Sequence, residues 1–196
     1  MRNKKGRADA VLALLLLASF VLACSSLKNL SSNPTEEANK LVRSAETDLD
    51  AVDKIIDENE DKSSELTKAE NEKDAGKVKS TLDDIIGAID QGVEHGQSAV
   101  DKIDKASKMN VDEKYKEYLS LKAQAFRKQI DAFKSLREAA VIERDNYGKG
   151  GEVEKKAVAD FREKYNSYKK QLNEAKDLHR KANDIARQNP DKIKPA

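Results

Sequence analysis

The chain has 196 residues, nearly balanced charge with 37 Lys and Arg against 36 Asp and Glu, and one cysteine. This length allows one domain or two small ones. A single cysteine excludes a disulfide scaffold and any zinc or iron–sulfur site built from several cysteines. Eight glycines, three prolines and 5% aromatic residues argue against a sandwich or barrel of many strands. The abundance of Ala, Leu, Glu and Lys instead predicts long helices and an all-α fold.

The first residues have the pattern of an export signal. Four basic residues lie within residues 2–7, and an apolar run interrupted only by Ser19 extends from Ala10 to Ala23. A membrane-spanning helix needs about 20 apolar residues, so this run is too short to span a bilayer comfortably. Residues 1–23 are therefore predicted to be a signal peptide.

The only cysteine follows this apolar run directly. Val21, Leu22 and Ala23 precede Cys24, and this arrangement resembles the lipobox of bacterial lipoproteins. The resemblance implies that the chain is cut before Cys24 and that the Cys24 sulfur carries covalent lipid, with palmitate as one such acyl chain. A thiolate is the side chain best suited to form a thioether, and two or three acyl chains anchor a protein stably. We expect no other cofactor.

Residues 24–33 are predicted to form the lipidated cysteine and a short polar tether. The resemblance implies the outer membrane where the envelope has two membranes, because Ser25 rather than Asp follows the cysteine. Otherwise it implies the outer face of the cell membrane. Loss of residues 1–23 changes the net charge from +1 to −2. With a near-neutral, mixed surface we expect no nucleic-acid partner and membrane contact through the lipid alone.

The rest of the sequence predicts four helices, because apolar residues recur at spacings of three and four. Asn33 and Pro34 form a helix start, a turn is expected at 73–76, and glycines at 148–151 end a helix. Residues 57–65 lack apolar side chains and are expected to be exposed, frayed or a loop. The predicted helices are 34–72, 75–109, 111–147 and 152–189, within a domain of 34–189, and residues 190–196 are predicted to be a loose tail.

Helices of similar length joined by short turns favour an antiparallel up-down-up-down four-helix bundle, with about 36 residues in each helix. Apolar positions match across the first hairpin when the paired residue numbers add to about 146, and across the second when they add to about 299. The first register places Ala45 near Val100, and the second places Phe126 near Leu172. A coiled-coil oligomer remains an alternative, because the apolar stripes are close to heptad spacing.

Sequence motifs for catalysis or metal binding are absent. A di-iron bundle needs Glu three residues before a core histidine, but Gly92 precedes His95 and Lys176 precedes His179. No zinc-protease motif, phosphate-binding glycine loop or nucleophile elbow occurs. We therefore expect surface or boundary histidines, no metal site and no enzyme activity.

Two features suggest binding. Gly92 and Gly96 share one face of the second predicted helix, although each glycine costs a helix about 1 kcal/mol relative to alanine. They predict either a close helix crossing or a small cavity for an apolar ligand. The acidic stretch 57–72 could bind a cation or a partner, but a solvated helix is the simpler interpretation.

Three functional hypotheses follow. The first is a lipid-anchored, non-catalytic scaffold or binding module that is tethered through Cys24 and acts on another envelope protein or the cell wall. The second is a carrier bundle that holds an apolar molecule near Gly92 and Gly96. The third is an oligomeric coiled-coil stalk or surface adhesin. The oligomeric state is left open by the sequence.

Overall fold

The computed structural model describes residues 34–58 and 60–193, and these residues form an all-α structure. No strand occurs in them, which confirms the predicted fold class. Five helices lie in these two ranges and pack against one another. They are α1 (Pro34–Glu58), α2 (Glu60–Glu72), α3 (Ala75–Ser107), α4 (Glu113–Asn146) and α5 (Gly151–Gln188).

The first predicted helix is divided into α1 and α2. The expected interruption at 57–65 is shorter than predicted, because helix resumes at Glu60. Ser63, Leu66 and Ala69 are buried, and the latter two belong to a core cluster that includes residues of α3. The Lys62 Nζ also lies 3.0 Å from Asp84 Oδ2 on α3. Burial of the small and apolar side chains after residue 62 explains why this charged sequence still forms a helix.

Short polar and glycine turns join the long helices. Between α2 and α3, Lys73 has a positive φ of 57°, and the Asp74 side chain accepts a hydrogen bond from the Lys77 N–H at 3.0 Å. That bond satisfies one of the free donors at the start of α3. After α4, Gly148 has a φ of 77°, which confirms the left-handed glycine expected there.

The start of α4 lies two residues later than predicted. Its N-cap is Asp112, whose carboxylate accepts a hydrogen bond from the Lys114 N–H at 2.8 Å. The predicted helix begins at residue 111, whereas the Asp112 cap sets the first helical residue at Glu113, as Asp is a good N-cap. Val111 is buried before the helix begins, which fixes where the chain can turn into α4.

Successive helices pack together: α1 and α2 on α3, α3 on α4, and α4 on α5. In the first hairpin the Lys102 Nζ donates to the Ser44 carbonyl at 3.2 Å. This pair lies in the predicted register, and Ala45 and Val100 share a core cluster. Between α3 and α4, Arg137 forms two hydrogen bonds with Asp90, at 2.6 and 2.9 Å.

The register of α4 against α5 differs from the prediction. Lys164 pairs with Glu138 at 2.6 Å, whereas the predicted register sets Phe161 opposite Glu138. Lys128 pairs with Glu174 at 2.7 Å, with the same shift of three residues. The apolar pattern repeats about every turn, so a one-turn slip keeps apolar residues together and the sequence does not distinguish the two registers.

The core forms three clusters. The first combines residues of α1, α3, α4 and α5, the second combines α2, α3 and α4, and the third joins α4 to α5. Every member of these clusters lies within 34–58 and 60–193, the part of the chain that the structure describes. The largest fully buried side chains are Tyr168, Leu66, Leu82, Leu119, Ile193, Val78 and Val100.

The chain after α5 corrects the expectation of a loose tail. Ile193 is 1% exposed and belongs to the first core cluster. Its N–H donates to the Asn189 carbonyl at 2.9 Å, and the Lys192 Nζ lies 3.2 Å from Asp112 Oδ2. Ile193 is therefore packed in the core, whereas residues 190–192 are exposed. Pro190 ends the helix as predicted, and the apolar side chain of Ile193 then packs in the core.

Candidate functional site

The start of α1, which follows the expected lipidation site in the sequence, lies at one end of the molecule. The Tyr115 hydroxyl donates to Asn39 Oδ1 at 2.6 Å, which joins the start of α1 to the start of α4. Lys192 reaches Asp112 beside them. We call this the tether end, defined by the starts of α1 and α4 and by residues 189–193. The predicted site residues Cys24, Val21, Leu22 and Ala23 lie outside the described residues.

Gly92 and Gly96 are both buried on α3, and the structure gives them different surroundings. A Cβ added to Gly96 would lie 3.2 Å from Ile130 Cγ1 on α4, whereas one added to Gly92 would meet no atom within 4 Å. Gly96 therefore permits a close approach of α3 to α4. Beside Gly92 the position of an added Cβ is open space. Another glycine of this helix, Gly87, is exposed.

His179 is buried between α4 and α5, which corrects the expectation of a surface or boundary histidine. It is 3% exposed, and its ring stands nearly edge-on to Phe126, with centroids 5.0 Å apart and planes at 75°. A ring nitrogen lies 3.5 Å from Gln129 Oε1. The sequence signal was its spacing, because His179 is four residues after Ala175 and three before Ala182 on the buried face of α5. His95 is half-buried.

Burial determines the charge of His179. It lowers the pKa of His179 to about 3, and the positive charge of Lys122 on α4 adds to this effect. Burial disfavours the protonated imidazole because it removes the charge from water. At neutral pH the ring is therefore uncharged and serves as a packing element, with a pKa far from the range that general acid–base catalysis requires.

A second polar group crosses the α4–α5 interface. The Ser135 hydroxyl lies 2.9 Å from Gln171 Oε1 and 3.4 Å from Ser167 Oγ. Tyr168, the residue after Ser167, is buried, and burial raises the pKa of its hydroxyl well above the usual value. These groups are neutral near pH 7, so they contribute hydrogen bonds and packing at this interface.

Two other kinds of site are absent from the parts of the chain that the structure describes. No group of three or more His, Cys, Asp or Glu residues there could hold a metal ion. Within 34–58 and 60–193, no helix carries an apolar stretch long enough to cross a bilayer.

Charge is distributed unevenly among the helices. Together α1 and α2 contain thirteen acidic and five basic residues, whereas α5 contains seven acidic and ten basic residues. These helices are not successive in the packing order, because α3 and α4 lie between them. Acidic residues are therefore in excess on α1 and α2 and basic residues on α5, although the net charge of the chain is close to zero.

Six of the ten basic residues of α5 lie on a stripe along its exposed surface. Positions that are spaced by three and four residues share one side of a helix, and the stripe positions contain no acidic residue and no large apolar residue, although the acids Glu152, Asp177 and Asp184 lie beside them. Ala159 is its one small apolar member, and every member is exposed. The stripe consists of Lys155, Ala159, Arg162, Asn166, Lys169, Asn173, Lys176, Arg180, Asn183 and Arg187.

Three bases of the stripe are paired and three are not. Lys155, Arg180 and Arg187 each contact the acidic residue three positions earlier. Among the described residues, Arg162, Lys169 and Lys176 have no carboxylate within 4 Å. The Lys169 ammonium lies 4.9 Å from the centre of the Tyr165 ring.

This stripe is not visible in the total charge of the chain or in runs of consecutive basic residues. The relevant signal was present at helical spacing, in the series from Lys155 to Arg187. It becomes visible once the buried face of α5 is known.

Comparison with known proteins gives no relative. No family model matches the chain, and the searches of curated proteins and of solved structures also found no match.

Proposed function

We propose that the protein is a lipid-anchored, non-catalytic scaffold or binding module of a bacterial envelope, tethered through Cys24. The single observation that carries this proposal is the position of the only cysteine, directly after Val21, Leu22 and Ala23 at the end of an apolar run. The membrane is the outer membrane where two are present and otherwise the outer face of the cell membrane. Tethering raises the effective concentration of the module near other envelope components.

The proposed architecture is an antiparallel up-down-up-down bundle, with α1 and α2 together as the first of four long helices. The pairs Lys102–Ser44, Arg144–Asp83 and Lys164–Glu138 support it. In each pair a residue late in one helix meets a residue early in the other, or the reverse, as antiparallel neighbours require. Such a bundle presents long solvated surfaces at a fixed distance from the anchor.

The interior chemistry supports a non-catalytic role. The buried histidine has a pKa of about 3, and its closest ring neighbour is Phe126. The α4–α5 interface also contains neutral hydroxyl and amide groups. These features favour packing over proton transfer, and the exposed charged faces then become the surfaces available to a partner.

The lipidation proposal is tested by the intact mass of the mature protein. We expect an amino terminus at Cys24 and added mass from acyl chains, with palmitate label incorporated. Cys24→Ser should abolish the label and release the protein from membranes or leave it unprocessed. Ser25→Ala keeps the thiol and serves as the matched control. A bare thiol, or a different amino terminus, would overturn the proposal.

A carrier bundle is a second candidate, because Gly92 is buried and yet has space beside its Cα. If an apolar molecule binds in that space, adding a long-chain fatty acid should raise the midpoint of thermal unfolding of the wild-type protein. Gly92→Leu would fill the space and remove this effect, while Gly87→Leu, on an exposed position, would retain it. No effect of fatty acid on the wild-type protein would exclude this ligand class.

A further inference from the structure

The exposed stripe of α5 has a composition suited to one kind of surface. Six bases and three asparagines extend from Lys155 to Arg187, about 48 Å along the helix at 1.5 Å per residue. We propose that this stripe binds the anionic phospholipid headgroups of the membrane in which Cys24 is anchored. The choice of membrane rests on the proposed function, whereas the affinity for anionic lipid belongs to the stripe alone.

A flat anionic surface fits the stripe better than a protein partner does. Stable protein interfaces have an apolar or aromatic centre with a polar rim, and the stripe contains no residue larger than Ala159 that is apolar. Exposed ion pairs alone contribute about 0–1 kcal/mol each. A lipid surface needs no such centre, because basic residues are attracted to its potential without close packing.

The unpaired bases are positioned to meet headgroups. Arg162, Lys169 and Lys176 are seven residues apart, so they lie on one line about 10 Å from each other. Their lack of carboxylate partners among the described residues leaves their charge available. The asparagines between them, Asn166 and Asn173, supply amide donors for phosphate oxygens.

The tether allows the stripe to reach the bilayer. Cys24 precedes Pro34 by ten residues, which span at most about 35 Å when extended. The Arg187 end of the stripe is close to the tether end, because Ile193 follows it into the first core cluster. Meanwhile the excess of acid on α1 and α2 is repelled by an anionic membrane. The attraction of the stripe and the repulsion of α1 and α2 both favour the orientation in which α5 faces the lipid.

The test uses residues 24–196 with Cys24→Ser, a fragment that keeps every other residue of the predicted mature chain and has no lipidation site. Its folding is confirmed by circular dichroism before vesicle binding is measured by sedimentation. The vesicles are phosphatidylcholine alone, or with about 30% phosphatidylglycerol to give a negative surface. We expect binding only to the anionic vesicles at low salt, and loss of that binding at about 0.5 M salt.

Two triple variants with equal change in net charge separate the stripe from overall charge. Arg162→Gln, Lys169→Gln and Lys176→Gln together should weaken binding about a hundredfold, since each base contributes about a fivefold factor near an anionic surface. Lys40→Gln, Lys68→Gln and Lys79→Gln, which change exposed residues of α1, α2 and α3, should leave binding nearly unchanged.

Three results would overturn the proposal. They are no binding to anionic vesicles by the wild-type fragment, equal weakening by both triple variants, and tighter binding to duplex DNA than to anionic vesicles at the same salt concentration. Because the fragment has no lipidation site, none of these results bears on Cys24. Conversely, a bare Cys24 in the mature protein would leave the vesicle result intact.

Discussion

The ring of His179 on α5 stands nearly edge-on to Phe126 on α4, with centroids 5.0 Å apart. Aromatic rings favour this arrangement because the positive edge of one meets the negative face of the other. It holds the histidine in the interface between the two longest helices, away from water. The uncharged imidazole is the form that this site accepts, so folding and the protonation of His179 are coupled.

Acidification should therefore destabilise the protein through His179. The pKa of His179 is about 3 in the folded protein, whereas the ordinary value for histidine is 6.5. Below pH 6.5 the unfolded chain therefore binds a proton that the folded chain does not. The free energy of unfolding should fall by at most about 1.4 kcal/mol per pH unit, or about 2 kcal/mol between pH 7.5 and 5. Urea unfolding at several pH values measures this slope.

Two variants assign the slope to this residue. His179→Leu has no titrating ring, so its stability should change much less between pH 7.5 and 5, whatever its absolute value. His95→Gln removes the other histidine and should retain the wild-type slope. An equal slope in wild type and His179→Leu would show that other groups cause the pH dependence.

Gly87, Gly92 and Gly96 of α3 should respond differently to substitution by alanine. Gly87→Ala and Gly92→Ala should each stabilise the protein by about 0.5–1 kcal/mol, because alanine is the better helix former and no atom lies within 4 Å of the added Cβ. Gly96→Ala gains the same propensity but presses its Cβ against Ile130 at 3.2 Å, which overpacks the crossing. We expect it to be neutral or destabilising in urea titrations.

The order of these variants is itself the test. If Gly96→Ala is as stabilising as Gly87→Ala, then α3 and α4 are free to separate slightly, and the crossing does not require glycine. A double-mutant cycle with Ile130→Ala, which removes the contacting Cγ1 and Cδ1 atoms, measures this crowding. In the Ile130→Ala background Gly96→Ala should be less costly than in the wild type, since the two residues are in direct contact.

Helix positions were predictable from the sequence because their signals are local. Pro34 at a helix start, the left-handed Gly148 and the stop before Pro190 all depend on neighbouring residues. The register of α1 against α3 was also predicted, since Lys102 reaches Ser44. The α4–α5 register was wrong by three residues, because a repeating apolar stripe fits almost equally well one turn away.

Features that depend on distant residues were missed. Ile193 has too few apolar neighbours in sequence to indicate burial, but the first core cluster provides a site for it. His179 was judged by motif spacing rather than by its position on the buried face. The basic stripe of α5 required knowledge of which face packs on α4. Cys24 is the opposite case, because its prediction depends entirely on adjacent residues and lies outside the described residues.

Ile193 should contribute as much as a residue inside a helix. Ile193→Ala removes a side chain that is 1% exposed and should lower the free energy of unfolding by about 2–4 kcal/mol, as buried truncations do. Val153→Ala, at a position that is 52% exposed, is the control and should change stability by less than about 0.5 kcal/mol. Thermal or urea unfolding measures both, and similar small losses would mean that residues 190–193 are loose in solution.

Hydrogen exchange should be faster in α1 and α2 than in α4 and α5. Most apolar residues of α1, including Leu41, Val42 and Leu49, are only partly buried. By contrast α4 contributes residues to all three core clusters. Regions with less burial open at lower free energy. Equal protection in the two hairpins would indicate one cooperative unit, contrary to this expectation.

The ion pair of Asp48 and Lys102 should be the one most sensitive to mutation on α1. Its atoms are 2.6 Å apart and its side chains are only 17% and 27% exposed. Burial raises the pKa of Asp48, but hydrogen bonds from Lys102 and Ser98 and the charge of Lys102 outweigh it, so the pKa of Asp48 is lowered overall. The stabilisation is therefore present above about pH 4 and is lost as the pH falls further.

Asp48→Asn should lower the free energy of unfolding at pH 7 by about 1–2 kcal/mol, because it leaves the Lys102 ammonium partly buried without its carboxylate. Glu152→Gln breaks the exposed pair with Lys155 and should change stability by less than about 0.5 kcal/mol. Urea unfolding at pH 7 and about pH 3 distinguishes the cause. The loss in Asp48→Asn should shrink as the pH falls toward the lowered pKa of the wild-type carboxylate, because protonation removes its charge. A loss of the same size at both pH values would instead assign the effect to side-chain packing.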